Sequence, residues 1–222
     1  MQFVYHPNAG IQTLSVDVRE YEHIFKVRRM SVGEKLQWRN LEDVFLYEYE
    51  ISKIGKKEAE LDLIGKKELP LLPSKILHVG WSIIDPKIIE KTLPMLNELG
   101  VSKISFVYAE FSQKSHKLDL ERMKRILINS SQQCGRSLLM QIEVLPTLQD
   151  YIKAYPQSHI LDFSEIKLNE TEKISSILIG PEGGLSQKER MLLQNQSIVG
   201  LTCNTILRSE TAVVAAASKI LA

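Results

Sequence analysis

Two motifs near the end of the sequence constrain the fold more than any other feature. In the first, the apolar run Ile177–Ile179 leads into Gly180-Pro-Glu-Gly-Gly184. Three glycines in five positions allow positive φ and a close approach of the backbone to a ligand. Ser186 and Glu189 have the spacing of a capping box, which predicts that a helix follows. Strand, glycine-rich turn and helix together are typical of ligand-binding α/β proteins, although a tight connection without a ligand is the alternative.

The second motif, Ile206–Ala212, follows a predicted strand at Ile198–Cys203. Ser209 is the expected N-cap of an alanine-rich helix from Glu210 to Leu221. Arg208 therefore stands at the positive end of a helix dipole, which costs about 0.3–1 kcal/mol. Such a cation is expected to have a partner, either the carboxylate of Glu182 or Glu210 or a ligand anion. A purely structural pair with Glu210 is the simpler alternative.

Both motifs resemble the RsmE family of small-subunit (16S) ribosomal RNA uridine N3-methyltransferases, of the SPOUT or α/β-knot superfamily. Glu98-Leu-Gly-Val101 and Gln133-Cys-Gly-Arg136 also match. The resemblance implies an N-terminal PUA-like β-barrel domain followed by a SPOUT α/β trefoil-knot methyltransferase domain with a mostly parallel sheet. It also implies S-adenosyl-L-methionine as cofactor, 16S ribosomal RNA or the small ribosomal subunit as partner, and a homodimer.

The expected reaction is a direct transfer of the sulfonium methyl to uridine N3. For this reaction Arg208 is expected to stabilise negative charge on the base carbonyls. A carboxylate or a water accepts the proton, with Glu210 the nearest candidate in the sequence, and Glu182 is an alternative counter-charge for the sulfonium. The position of each residue in the family motifs implies cofactor contacts at Leu161, Ile179, Gly180, Pro181, Glu182, Gly183, Gly184, Leu201, Cys203, Ile206, Leu207 and Arg208.

The N-terminal third has the period-two alternation of β-strands, at Leu14–Val18, Lys35–Arg39, Phe45–Ile51 and Glu58–Ile64. Short strands at this spacing predict a small barrel. Leu69–Ser74 carries two prolines and is the clearest linker. We therefore expect a PUA-like RNA-binding domain over residues 1–70 and a SPOUT methyltransferase domain over residues 74–222.

The most basic part of the chain lies in the predicted barrel, where cations alternate with Tyr21, Phe25 and Trp38. Such a mixture is typical of nucleic-acid binding, and a solvated charged face is the alternative. The family pattern favours RNA through His23, Val27, Arg29 and Gly33. Gln133 and Arg136 match a motif expected near the dimer interface and the RNA, or else belong to a helix end capped by Gly135. The full set of predicted RNA-binding residues is Arg19, His23, Lys26, Arg28, Arg29, Lys35, Arg39, Gln133 and Arg136.

Strands and helices alternate beyond the linker, which predicts a largely parallel sheet with helices on both faces. Strands are expected at Ile76–Trp81, Ile104–Tyr108, Gln141–Leu145 and His159–Phe163. A helix is expected to begin after Asp85 and to end at Gly100, with a kink or interruption at Pro94. Two further helices are expected, from about Asp119 to Cys134 and from Leu148 to Ala154.

The composition limits the classes of protein to which the chain can belong. The chain has 222 residues, is 44% hydrophobic and carries a net charge of +1, so a nucleic-acid surface must be local. Two unpaired cysteines, Cys134 and Cys203, favour a cytoplasmic location. Scattered histidines predict no metal site, and short apolar runs predict no membrane span.

Two other functions stay open from the residues. One is an RNA-binding module with an inactive knot. The other is a nucleotide-binding enzyme, although no GxGxxG follows the first strand of the predicted sheet.

Overall fold

The computed structural model describes residues 2–168 and 173–222. These residues form two compact units. The first contains the chain up to Leu72 together with Ile128–Leu139, and the second contains Pro73–Leu127 and Met140–Ala222. The division falls within the predicted linker, and a second, later segment of the chain joins the first unit.

The first unit is built on one five-stranded sheet with the order β1-β3-β4-β5-β2. Strands β3, β4, β5 and β2 pair in antiparallel fashion, whereas β1 joins β3 in parallel. Inward-facing residues such as Leu14, Trp38, Tyr49 and Leu61 are buried in one core. The four predicted strands are therefore confirmed; the strands are β1 Val4–Tyr5, β2 Thr13–Asp17, β3 Lys35–Arg39, β4 Phe45–Ile54 and β5 Glu58–Glu68.

The segment between β2 and β3 contains a π-helical stretch, His23–Val27. Ile24 is buried, and Tyr21 and Phe25 pack against the same core as Trp38. The aromatic residues of the basic segment therefore serve the interior of the unit. Trp38 is fully buried and offers no face to a base, whereas Tyr21 and Phe25 are half-buried, so the nucleic-acid interpretation of this segment stays a prediction.

The second unit is built on a six-stranded sheet with the order β11-β9-β10-β6-β7-β8. All neighbouring strands in it are parallel, as the alternation of strands and helices predicted. Every residue of β6 is buried, as expected for a strand covered on both faces. The strands are β6 His78–Ser82, β7 Lys103–Val107, β8 Gln141–Leu145, β9 His159–Leu161, β10 Ser176–Ile179 and β11 Ile198–Val199.

Five α-helices complete the described part of the chain: α1 Pro86–Leu99, α2 Leu120–Cys134, α3 Leu148–Ala154, α4 Gln187–Leu192 and α5 Ser209–Leu221. The Asp85 side chain caps α1, and Gly100 ends it with a φ of +100°. The helix continues through Pro94, so the predicted interruption is wrong. Leu93 and Leu96 on either side of Pro94 are fully buried, and this packing holds the turn that has lost one hydrogen bond. Among the described residues no helix has the length and apolar character that crossing a bilayer requires.

Candidate active site

A cavity of about 530 Å³ lies beyond the carboxyl ends of β9 and β10, beside the start of α5. This volume is in the usual range for small-molecule sites, and this edge of a parallel sheet is where such sites form. Ten of the twelve residues predicted to contact a cofactor line it: Leu161, Ile179, Gly180, Pro181, Glu182, Gly184, Leu201, Cys203, Ile206 and Leu207.

The two sequence motifs meet through one hydroxyl group. Ser209 Oγ donates to the carbonyl oxygen of Gly180 at 2.7 Å and accepts from Trp81 Nε1 at 2.9 Å. The prediction that Ser209 caps α5 is wrong, because Arg208 occupies the cap position and no side chain caps the helix. The Ser209 side chain is only 5% exposed, and it is bonded to the glycine turn instead.

The glycine turn has the geometry that its sequence predicts. Gly184 has a φ of +72°, and its N–H donates to the Pro181 carbonyl at 2.9 Å. The capping box of Ser186 and Glu189 is present at the start of α4 and confirms the predicted helix. Glu189 also accepts a hydrogen bond from the backbone N–H of Glu110 at 2.8 Å. The turn is thus held between a strand and a capped helix.

Sequence reasoning missed one wall of the cavity, the segment after β9. The cavity lining includes Asp162, Phe163, Ser164, Glu165 and Lys167 from this segment, together with Leu185, Gly200, Thr205, Ser209 and Ala212. Phe163 is 79% exposed, and Ile206 on the opposite motif is 83% exposed. Polar residues in a short loop give no periodic signal, and for this reason the segment was not predicted.

Gly200 is the sequence feature from which this wall of the cavity could have been predicted. A glycine inside a strand pattern indicates that another segment of backbone approaches closely. A Cβ at Gly200 would lie 2.8 Å from the Ser164 carbonyl oxygen. The Gly200 N–H donates to Ile166, and its carbonyl accepts from Leu168, at 2.8 and 2.7 Å. These bonds divert the chain from the sheet after Val199. The predicted strand at Ile198–Cys203 is therefore only two residues long.

Three predicted site residues do not line the cavity: Gly183, Arg208 and Glu210. Arg208 is exposed, and its guanidinium has neither a hydrogen bond nor an ion pair with the described part of the chain. The purely structural pair with Glu210 is therefore not formed. Glu210 is half-buried, and its Oε2 atom is buried without a hydrogen-bond partner among the described residues. Both residues adjoin Ser209, so they lie beside the cavity rather than inside it.

The predicted RNA-binding residues fall into two groups. Six cationic or histidine side chains of the first unit and one glutamine are exposed: Arg19, His23, Lys26, Arg28, Arg29, Lys35 and Gln133. Arg28 and Lys35 also line a groove of about 290 Å³. Lys26 pairs with Glu22 at 3.0 Å across one helical turn. The exposed members remain available to a polyanion.

The structure contradicts the RNA-binding assignment of Arg39 and Arg136. Arg39 is 1% exposed, and its guanidinium donates to the carbonyls of Val44, Phe45 and Leu69 at 2.9–3.3 Å. Arg136 is buried and donates to the Leu138 carbonyl at 2.9 Å. Burial lowers the pKa of both guanidinium groups. Gly135 follows the last residue of α2 with a φ of +91°, as expected for a helix end capped by glycine.

A network of polar side chains lies on β6, β7, β8 and β10 of the six-stranded sheet, and none of its members lines the cavity. His78 lies between Ser105, 2.7 Å from its Nε2, and Ser176, 3.1 Å from its Nδ1. Ser105 donates its only hydroxyl proton to Glu143 at 2.5 Å, so His78 must donate from Nε2. Burial, with a smaller effect of Lys103, lowers the pKa of His78 to about 4. Bonds from Ser105, Tyr155 and Lys103 outweigh the effect of burial and lower the pKa of Glu143.

Comparisons with known proteins agree with this arrangement. A family described as an RNA methyltransferase domain matches residues 72–221, and a family described as an RNA methyltransferase PUA domain matches residues 16–64. The ribosomal RNA small subunit methyltransferase E of two Helicobacter pylori strains is 43% and 44% identical, over 98% of this chain and 98% of each relative. This chain belongs to the ribosomal RNA small subunit methyltransferase E family.

Solved structures agree with this family in fold. A methyltransferase from Legionella pneumophila, described as bound to the cofactor SAM, superposes with a TM-score of 0.82 and 25% identity. The match covers 97% of this chain and 94% of that one. The fold class predicted for this methyltransferase E family member is confirmed, with a PUA-type N-terminal unit and a SPOUT-type unit on a parallel sheet.

Proposed function

We propose that this protein transfers the methyl group of S-adenosyl-L-methionine to N3 of a uridine in 16S ribosomal RNA. The observation that carries the proposal is the cavity in which the two motifs meet, tied by the bond from Ser209 to Gly180. Membership of the family supplies the reaction class, and the cavity supplies a place for the donor.

The residues of the cavity fit this cofactor. Leu161, Ile179 and Leu201 offer an apolar surface of the kind that an adenine ring needs. The carboxylates of Glu182 and Glu165 suit the positive charges of a sulfonium and an ammonium group, and Lys167 suits a carboxylate. The backbone bonds of Gly200, where a Cβ would clash, hold the segment that carries Lys167 against the motif loop. Apolar, acidic and basic groups thus occur together in one cavity.

Bound S-adenosyl-L-methionine supplies an electrophilic methyl group. The residues of the protein must then orient a uracil and remove its N3 proton. Arg208 is exposed next to the cavity and unpaired with any described residue, so its guanidinium is free to stabilise negative charge on the base carbonyls. Glu210 is the candidate proton acceptor, since one of its oxygens has no partner among the described residues.

The RNA contacts that we propose fall on exposed groups. A uracil whose pairing edge reacts must be unpaired or flipped out. Phe163 and Ile206 present exposed apolar surface at the cavity, which suits contact with an unstacked base. The exposed cations of the first unit, among them Arg28 and Arg29, suit phosphate contacts. We further propose that the protein acts as a cytoplasmic homodimer, as the family resemblance implies.

Methyl transfer to RNA tests this proposal directly. Purified protein is incubated with methyl-labelled cofactor and either small subunits or deproteinised 16S RNA, and the product nucleoside is identified by mass spectrometry. We expect 3-methyluridine with one of the two substrates. Cofactor binding without any transfer would indicate the inactive RNA-binding module instead. A thermal shift with NAD or ATP but none with S-adenosyl-L-methionine would indicate a nucleotide-binding enzyme.

A further inference from the structure

The hydroxyl of Ser209 does not perform the task that its sequence position predicts. Serine at a helix start normally caps the helix, and losing such a cap destabilises the helix. In this chain the first turn of α5 has no side-chain cap, and Ser209 Oγ donates to Gly180 instead. A local rule that is broken at a functional site indicates that the side chain has another role.

The partner of Ser209 is a fully buried indole. Trp81 is the fourth residue of the central strand β6, and its Nε1–H donates to Ser209 Oγ at 2.9 Å. Because the indole fixes the hydroxyl as an acceptor, the hydroxyl proton is directed to the Gly180 carbonyl at 2.7 Å. These two hydrogen bonds connect the centre of the sheet, through the start of α5, to the glycine turn.

This chain of hydrogen bonds joins two walls of one cavity. Gly180 and Ser209 both line it, and Arg208 directly precedes Ser209. Gly180 begins the turn that carries Glu182 and Gly184. A change in the position of Ser209 would therefore move both the turn and the cation that we assign to the reaction.

We infer that Ser209, held by Trp81, is a positioning residue that sets the distance between the glycine turn and Arg208. This inference rests on the proposed function, because it concerns the same cavity. Neither Ser209 nor Trp81 is assigned a contact with the reacting atoms. It predicts that removing the hydroxyl impairs cofactor affinity and turnover in molecules that remain folded.

Five variants test the inference: Ser209→Ala, Ser209→Thr, Trp81→Phe, the double variant Ser209→Ala/Trp81→Phe and the matched control Ser82→Ala. Ser82 is also a buried serine, next to Trp81 on β6, but its hydroxyl has no hydrogen-bond partner among the described residues. Calorimetry gives the dissociation constant for S-adenosyl-L-methionine, and transfer at saturating cofactor gives kcat. Both are corrected for the folded fraction from circular dichroism.

For Ser209→Ala we expect at least a tenfold rise in the dissociation constant and at least a tenfold fall in kcat. Ser209→Thr keeps the hydroxyl and should restore both to within threefold of wild type. Adding Trp81→Phe to Ser209→Ala should change the dissociation constant by less than twofold, because the chain of bonds is already broken. Ser82→Ala should leave both quantities within twofold of wild type.

Wild-type affinity and kcat in folded Ser209→Ala would overturn the inference and would leave the proposed function intact. Equal losses in Ser209→Ala and Ser209→Thr would also overturn it, because the effect would then follow from packing and not from the hydroxyl. An inactive wild type that binds no cofactor would instead refute the proposed function. The two failures are therefore distinguishable.

Discussion

Lowering the pH from 7 to 4 protonates His78 in the unfolded chain well before it does so in the folded chain. The pKa of this imidazole is about 4 in the structure and 6.5 in an unperturbed chain. Between these values the unfolded state binds more protons than the folded state, so the free energy of unfolding falls as the pH falls. Each pKa unit corresponds to about 1.4 kcal/mol, and the full difference corresponds to at most about 3.4 kcal/mol.

The structure gives the physical cause of this difference. His78 is 8% exposed and is packed against the Tyr155 ring with centroids 4.0 Å apart. Lys103 adds positive charge, and Glu143, which opposes its effect, is already bonded to Ser105, Tyr155 and Lys103. Below about pH 4.5 the lowered pKa of Glu143 adds a loss of the same sign, since the folded state favours its charged form more than the unfolded state does.

The assay is urea unfolding at several pH values between 7 and 4, followed by circular dichroism, for wild type and His78→Gln. We expect the wild type to lose about 2–3 kcal/mol more than the variant between pH 6.5 and 4. The imidazole signal that is absent from the NMR spectrum of His78→Gln identifies His78, and its titration gives the folded-state pKa. A folded-state pKa above 6, or the same pH dependence in both proteins, would refute the reasoning.

Three further predictions concern the site and the RNA surface. Arg208→Ala should lower kcat by about 100-fold or more while cofactor affinity changes little, as measured by labelled transfer and calorimetry; full activity would remove Arg208 from the reaction. Gly200→Ala places a Cβ 2.8 Å from the Ser164 carbonyl and should cost about 1–3 kcal/mol in urea unfolding and weaken cofactor binding; unchanged values would show that the loop yields. Arg28→Ala should reduce the salt dependence of RNA binding by about one ion without lowering Tm, whereas Arg39→Ala should lower Tm by several degrees; the reverse pattern would contradict their exposure.

The sequence was sufficient to predict the parts of the fold that have a periodic residue pattern or a specific capping residue. Alternating strands, the Asp85 cap and the capping box at Ser186 all follow local rules, and each is present. The glycine turn and the second motif were also brought to one cavity, as the family resemblance implied. The cofactor, catalytic and exposed RNA-contact residues stay predictions until the experiments above are done.

What the sequence could not give depends on the environment of a side chain in three dimensions. Arg39 and Arg28 are alike in a basic segment. The alternation of β3 places Arg39 on the face of the exposed Lys35 and Gln37, yet Arg39 is buried, and its guanidinium donates to carbonyls of β4 and the linker. Ser209 has a good capping position, but a nearby indole and a carbonyl compete for its hydroxyl. The wall after β9 is formed by the backbone bonds of Gly200, which no residue periodicity reports.

The bond between Trp81 and Ser209 joins residues 128 positions apart in the chain. This bond requires that both the parallel sheet containing β6 and the C-terminal helix α5 are in place, and closing so long a loop costs entropy. During refolding, β-sheet circular dichroism should therefore recover before the ability to bind S-adenosyl-L-methionine does. Cofactor added at the start of refolding would then leave the folding rate unchanged and would bind each molecule only after α5 has docked. The time course of cofactor binding would therefore report the completion of folding.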